Sequence, residues 1–265
     1  MEWEGREMKM IGAVTGDVIG SFYERYRTKR LDFELFPPGS TFTDDTVLTT
    51  AIAEALLQGV GYVFKLREYG LRYPYAGYGG RFWKWLTSKD PQPYGSLGNG
   101  SAMRVSPVAY AFDALPKVLE EAAKSAEPTH DHPEGIKGAQ AVAMTVFLAR
   151  QGKGKEEIRR EVSSNFGYDL ETPLYMIRPD YSFDPTCPGS VPQAIRSFLE
   201  SRDFEDAVRL AVSLGGDSDT LASIAGAIAE PFYGGVPVRI QRRVIPLVDP
   251  PLLKVLEDFE NTFLK

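Results

Sequence analysis

Apolar residues recur every three or four positions along most of the chain, which is the period of a helix with one face turned to a core. Leu48, Ala51, Ile52, Ala55 and Leu56 form one such stripe, and Ile136, Ala139, Ala143, Val146 and Phe147 form another. Three more follow in succession: Ile195, Phe198 and Leu199; Phe204, Ala207, Val208, Ala211 and Leu214; Leu221, Ile224, Ala225 and Ile228. The two-residue alternation of a half-buried strand is hard to find, so the pattern predicts an all-α fold. Gly59, Gly152 and the Gly215–Gly216 pair sit where helices should stop, and Pro107, Pro192 and Pro231 mark further boundaries. Segments 25–42, 74–104 and 167–192 are rich in Gly, Pro, Tyr and Phe and read as surface loops, with a short helix inside each as the alternative. No linker, charge block or long repeat divides the chain, and residues 1–265 are expected to form one compact helical domain.

The first helix carries glycine every four residues, at Gly12, Gly16 and Gly20 in IGAVTGDVIGSFYE. Glycines at that spacing share a face and let a second helix approach closely, at up to about 1 kcal/mol of lost helix propensity each. No preceding strand supports a dinucleotide-binding reading of them.

Composition narrows the partners. Hydrophobic residues make up 43% and charged residues 25% of the 265 positions, the balance of an ordinary globular protein. A net charge of -6 opposes a broad surface for nucleic acid or anionic membranes. No stretch approaches a membrane-spanning helix, and the N-terminal MEWEGREMKM is charged rather than shaped like a signal peptide; a monomer in the cytoplasm is expected. One cysteine, Cys187, allows neither an internal disulfide nor a thiolate zinc cluster, so any metal is held by oxygen or by the two histidines.

Two acidic clusters each open an amphipathic helix: Thr43-Asp44-Asp45-Thr46 and Asp217-Ser218-Asp219-Thr220. Capping explains either one alone, because Asp, Ser and Thr are favoured N-caps and acids suit the positive end of a helix. A helix needs only one cap, however, and adjacent carboxylates repel unless a cation or solvent relieves them. Carboxylates with hydroxyls are also the ligands that Mg²⁺, Mn²⁺ or Ca²⁺ prefer. Glu24, two helical turns beyond Gly16, is placed to approach these clusters or to face water. The run Tyr94-Gly95-Ser96-Leu97-Gly98-Asn99-Gly100-Ser101 can curl its backbone amides around a phosphate, or form an ordinary turn; Arg104 adds a charge nearby. His130 and His132, just before a clear helix, suit metal binding, proton transfer or a helix-entry hydrogen bond. The His130-Asp131 pair also invites comparison with helical metal phosphohydrolases, but those need a further, distant histidine that this chain lacks.

In order along the chain, GAVTGDVIGSFYE, FTDDTVLTTAIAEAL, YGSLGNGSAMRVSP, THDHPEGIKGAQA and SLGGDSDTLASIAGAIAEPFYG resemble the ADP-ribosylglycohydrolase family, the group related to dinitrogenase reductase-activating glycohydrolase. The resemblance runs from about residue 10 to 235. It implies an all-α fold with two divalent cations, Mg²⁺ or Mn²⁺, at the base of an ADP-ribose cleft, and a hydrolase that releases ADP-ribose from an attached group. Thr43, Asp44, Asp45, Asp217, Asp219 and Thr220 match the metal-ligand positions. Glu24 matches an acidic position near the metals, and Asp219, Asp45 and Glu24 are the expected catalytic carboxylates. Gly95, Ser96, Gly98 and Asn99 match the diphosphate-binding loop, and His130 the histidine beside the ribose; His132 reads as an addition of this subgroup. The position after Ser96, aromatic in some relatives, is Leu97 here, leaving Tyr23, Tyr94 and Phe82 as candidates to pack the adenine. The expected partner is an ADP-ribose-containing substrate, including ADP-ribosylated protein. The alternatives are a relative that binds ADP-ribose or a nucleotide without turnover, and a metal-dependent nucleotide phosphohydrolase.

Overall fold

The computed structural model describes residues 7–264. Among them, fifteen α-helices follow one another, with no sheet and a single isolated bridge between Gly98 and Thr186. The first half holds α1 (Gly12–Arg25), α2 (Asp44–Gln58), α3 (Tyr62–Arg72), α4 (Gly80–Leu86), α5 (Gly100–Met103), α6 (Ser106–Ala111) and α7 (Leu115–Ala126). The second holds α8 (Pro133–Arg150), α9 (Lys155–Phe166), α10 (Leu174–Ile177), α11 (Cys187–Glu200), α12 (Phe204–Val212), α13 (Ser218–Tyr233), α14 (Val238–Val244) and α15 (Pro250–Phe263). One continuous apolar core runs through nearly all of them.

The centre of that core is an antiparallel crossing of α1 and α13. Every residue of α13 from Ser218 to Glu230 is buried, so this helix is covered on all sides, by α1, α8, α11 and α12. The glycine ladder makes the crossing possible. A Cβ added at Gly12 would lie 2.4 Å from the Gly226 carbonyl oxygen, at Gly16 1.9 Å from that of Ala222, and at Gly20 2.3 Å from that of Ser218. Backbone therefore packs on backbone along the whole face. Glu230 closes the far end: its carboxylate accepts from the amides of Ile11 (3.2 Å) and Gly12 (2.8 Å), capping an α1 whose own N-cap, Ile11, has no side chain able to do so.

The long stripes predict α2, α8, α11, α12 and α13 correctly, and Gly59 ends α2 in the left-handed conformation a C-cap favours. Two proline boundaries do not hold: Pro192 lies inside α11 and Pro231 inside α13, each costing one backbone hydrogen bond that burial offsets. Gly234, left-handed at the C-cap, is where α13 stops. Pro107 instead starts α6. Segment 25–42 is irregular as expected, but 74–104 contains α4 and α5, and 167–192 contains α10 and the start of α11. Among the described residues no helix is long and apolar enough to cross a membrane.

Candidate metal centre and cleft

The α1–α13 crossing carries the acidic residues to one place. Thr43, the N-cap of α2, accepts from the Asp45 amide (3.3 Å) through its hydroxyl and donates that hydroxyl's proton to Asp17 Oδ1 (2.7 Å). Asp17, fully buried on α1, also accepts at Oδ2 from the amides of Thr43 (2.9 Å) and Thr46 (3.0 Å) and from the Thr46 hydroxyl. It thus anchors the first turn of α2 and turns the Thr43 lone pairs outward. From the other side, the start of α13 brings Asp217, Asp219 and Thr220, whose hydroxyl donates to Asp45 Oδ2 (3.3 Å) and so ties the two acidic clusters together. The Asn99 amide donates to Asp217 Oδ2 (2.8 Å).

Ligand-type oxygens of Asp17, Asp45 and Asp219 lie within 4.8 Å of one another, as do those of Glu24, Asp217 and Asp219. Asp219 belongs to both groups. Asp44 lines the same cleft but joins neither trio; its amide donates to Ala76 O (2.8 Å). Burial and mutual repulsion act on all of them in one direction. The Asp44 carboxyl is pushed up to about 8 by burial and by Asp17 and Asp217. Asp45 and Asp219 are raised well above the usual range by burial and neighbouring carboxylates, Asp17 and Asp217 are raised mainly by burial, and Glu24 by burial and by Asp217 and Asp17. The Asp45 Oδ1 atom is buried with no hydrogen-bond partner.

Above this cluster opens a cleft of about 490 Å³. The loop Ser96–Gly100 forms one wall, pinned by Asn99 N to Pro185 O (2.8 Å), Cys187 N to Leu97 O (2.9 Å) and Gly98 N to Ser96 Oγ (3.1 Å). Gly95 does not line the cleft. It adopts a positive φ of 60° to turn the chain, and its amide is taken by Asp131 Oδ1 (2.6 Å). Phe82, Tyr94 and Phe183 supply aromatic lining, with Arg81 over the Tyr94 ring. Tyr23 points elsewhere: it packs on Phe33, and its hydroxyl donates to Glu34 O (2.6 Å).

The two histidines separate. His132 is the N-cap of α8 and accepts from the Glu134 amide, the helix-entry bond. His130 lines the cleft, with Nδ1 2.6 Å from Thr129 Oγ1, and burial beside Arg104 and Arg81 holds it well below the usual histidine range, hence neutral. Neither histidine joins a metal-type cluster among the described residues, and Asp131 is occupied by the loop, so the His-Asp pair does not serve as a phosphohydrolase metal motif. Arg104, the charge expected near the loop, is fully buried and lines the cleft.

Sequence reasoning missed Asp17, Arg81 and Phe183. Asp17 had a signal: it is the one charged residue in the apolar, glycine-rich stretch 12–22 of α1, where an unpaired carboxylate is costly. Phe183 lies in an irregular stretch and Arg81 in the short α4, where neither composition nor period says which side chains face inward.

The site is thus a carboxylate-rich floor and a glycine-rich wall set in a helical bundle, and comparison with known proteins gives the class to which such a bundle belongs. The sequence model of the ADP-ribosylglycohydrolase family matches residues 9–244. Human ADP-ribosylhydrolase ARH3 is 29% identical over 85% of this chain and 84% of its own length. ADP-ribosylarginine hydrolase Tri1 of Pseudomonas putida (strain GB-1) is 30% identical over a shorter stretch, 57% of this chain and 41% of its own. A solved ADP-ribosylglycohydrolase-related protein complex superposes with a TM-score of 0.72 at 26% identity, covering 95% of each chain. The chain belongs to the ADP-ribosylglycohydrolase family and is an enzyme that hydrolyses ADP-ribose linkages.

Proposed function

We propose that this chain acts as one ADP-ribosylglycohydrolase domain and cleaves the bond between the anomeric carbon of ADP-ribose and an attached group, in a reaction that depends on two divalent cations. The observation that carries this reading is the buried, unpartnered Asp45 Oδ1 among carboxylates that burial drives toward protonation. Positive charge held by hard oxygen ligands resolves both features, and Mg²⁺ or Mn²⁺ fits the donor set. Thr43, Asp44 and Asp45 would hold the ions from α2, and Asp217, Asp219 and Thr220 from α13. When bound, the ions supply Lewis-acid polarisation of the ribose hydroxyls and a water.

The remaining steps belong to the protein. Asp17 fixes the Thr43 hydroxyl so that only lone pairs face the site. Asp219 or Asp45 takes the proton of the attacking water. Glu24, exposed at the cleft and raised in pKa, gives a proton to the leaving group or steadies it. Ser96, Gly98 and Asn99 hold the diphosphate on the loop wall, and His130 contacts the ribose side. A panel of ADP-ribosylated substrates with added Mg²⁺ or Mn²⁺, with released ADP-ribose identified by mass spectrometry, tests the reading. Expected is metal-dependent free ADP-ribose, lost in Asp44→Ala and Asp219→Ala. Release of phosphate or nucleotide instead, or wild-type turnover in both variants, overturns it.

A further inference from the structure

His130 is nine-tenths buried, and its two ring nitrogens face different neighbours. Nδ1 meets the Thr129 hydroxyl at 2.6 Å, while Nε2 turns toward the glycine-rich wall, 3.2 Å from where a Cβ on Gly100 would sit and 3.5 Å from one on Gly98. No protein group among the described residues hydrogen-bonds Nε2. Which nitrogen carries the proton therefore decides whether the ring offers the cleft a donor or an acceptor.

The bonds around Thr129 answer that question. Arg104, fully buried, donates from Nη2 to both Ser125 O (2.9 Å) and Thr129 Oγ1 (2.9 Å). A guanidinium only donates, so the Thr129 oxygen accepts there and must place its own single proton elsewhere. Among the described residues, the only other hydrogen-bond partner of that hydroxyl is His130 Nδ1. If Nδ1 carried the proton, the hydroxyl proton would be left buried and unpaired, the costly arrangement.

We propose that Arg104 and Thr129 are positioning residues that fix His130 as the neutral tautomer protonated on Nε2, so that it presents an uncharged N–H donor to an oxygen of the ADP-ribose moiety. The proposal rests on the reading of this cleft as an ADP-ribose site, but its first test does not. Long-range ¹H–¹⁵N correlation spectra of the full ¹⁵N-labelled chain report the tautomer directly, and because the chain has only two histidines, His132→Asn assigns the signals. The wild type is expected to show a protonated Nε2 and a bare Nδ1 at neutral pH. Thr129→Val removes the donor to Nδ1 and is expected to give a mixture of tautomers and a calorimetric ADP-ribose affinity weaker by about 3- to 10-fold, the effect of one neutral hydrogen bond. Thr129→Ser restores both. Arg104 variants risk the fold, so the Thr129 pair carries the test. A wild-type ring protonated on Nδ1, or a Thr129→Val protein with unchanged tautomer and affinity, overturns the proposal. Should no ADP-ribosylated substrate be cleaved while the spectra and affinities behave as stated, the assignment of function falls and the role of Thr129 stands.

Discussion

Replacing Gly20 by alanine tests how the central crossing supports the acidic site. The new methyl group would lie 2.3 Å from Ser218 O, 2.5 Å from Asp219 Cα and 2.7 Å from Asp219 N. Ordinary contact begins near 3.4 Å, so the start of α13 must retreat from α1 by about 1 Å. Because the opposing atoms are backbone, no rotamer change relieves the overlap. Overpacking of this kind costs about 3 kcal/mol, from which a gain in helix propensity of about 1 kcal/mol is recovered. For a protein of this size the net loss lowers Tm by about 4–8 °C. The larger effect falls on function, because Asp219 belongs to both carboxylate groups and, in the catalytic role proposed for it, a misplacement of about 1 Å reduces turnover on the order of 10²-fold. Gly12→Ala is the control. It meets Gly226 O at 2.4 Å and the Glu230 side chain, a comparable overlap on the same face, but two helical turns or about 12 Å from Gly20. Thermal unfolding and kcat/KM for ADP-ribose release, measured on both variants at saturating Mg²⁺, should show similar losses of Tm and an activity defect confined to Gly20→Ala. Equal activity losses, or full activity in a folded Gly20→Ala protein, would refute the argument that the crossing positions Asp219.

Other outcomes follow from the same geometry. Asp44→Asn removes one of several mutually repelling carboxylates, so in chelator it should unfold at a higher temperature than the wild type, while the rise in Tm on adding Mg²⁺ shrinks; a lower Tm in chelator would contradict the repulsion inferred here. Asp17→Asn leaves four donors facing an amide with one acceptor oxygen, and a loss of about 2–4 kcal/mol in urea unfolding is expected, with weaker metal binding through the freed Thr43 hydroxyl. Glu230 is raised to about 7 by burial. A carboxyl whose folded pKa lies above its unfolded value binds its proton more tightly in the native state, so its contribution is greatest at low pH. That contribution is lost as pH climbs from the unfolded value near 4.5 to about 7, by about 3 kcal/mol. Urea titrations of wild type and Glu230→Gln across that window should diverge by this amount, and parallel pH profiles would show that the α1 amides hold Glu230 ionised throughout.

The sequence by itself determined the long helices and where acids and hydroxyls concentrate at their starts. Stripes of ten or more residues at helical spacing leave little alternative, and Thr43, Asp44, Asp45, Asp217, Asp219 and Thr220 stand out because each cluster holds more acid than a cap requires. Short helices such as α4, α5 and α10 were not legible, since four to seven residues are too few to display a period. Pro192 and Pro231 misled because a proline's missing hydrogen bond is tolerated when the helix around it is buried on several sides. Only the tertiary structure decided what meets what. Asp17 lies 26 residues from the threonine it orients, Thr220 175 residues from the aspartate it bonds, and the Arg104 bond to Thr129 spans 25. Local sequence encodes propensity and the type of side chain; the antiparallel approach of α1 to α13, allowed by three glycines, brings those carboxylates and hydroxyls within reach of one another.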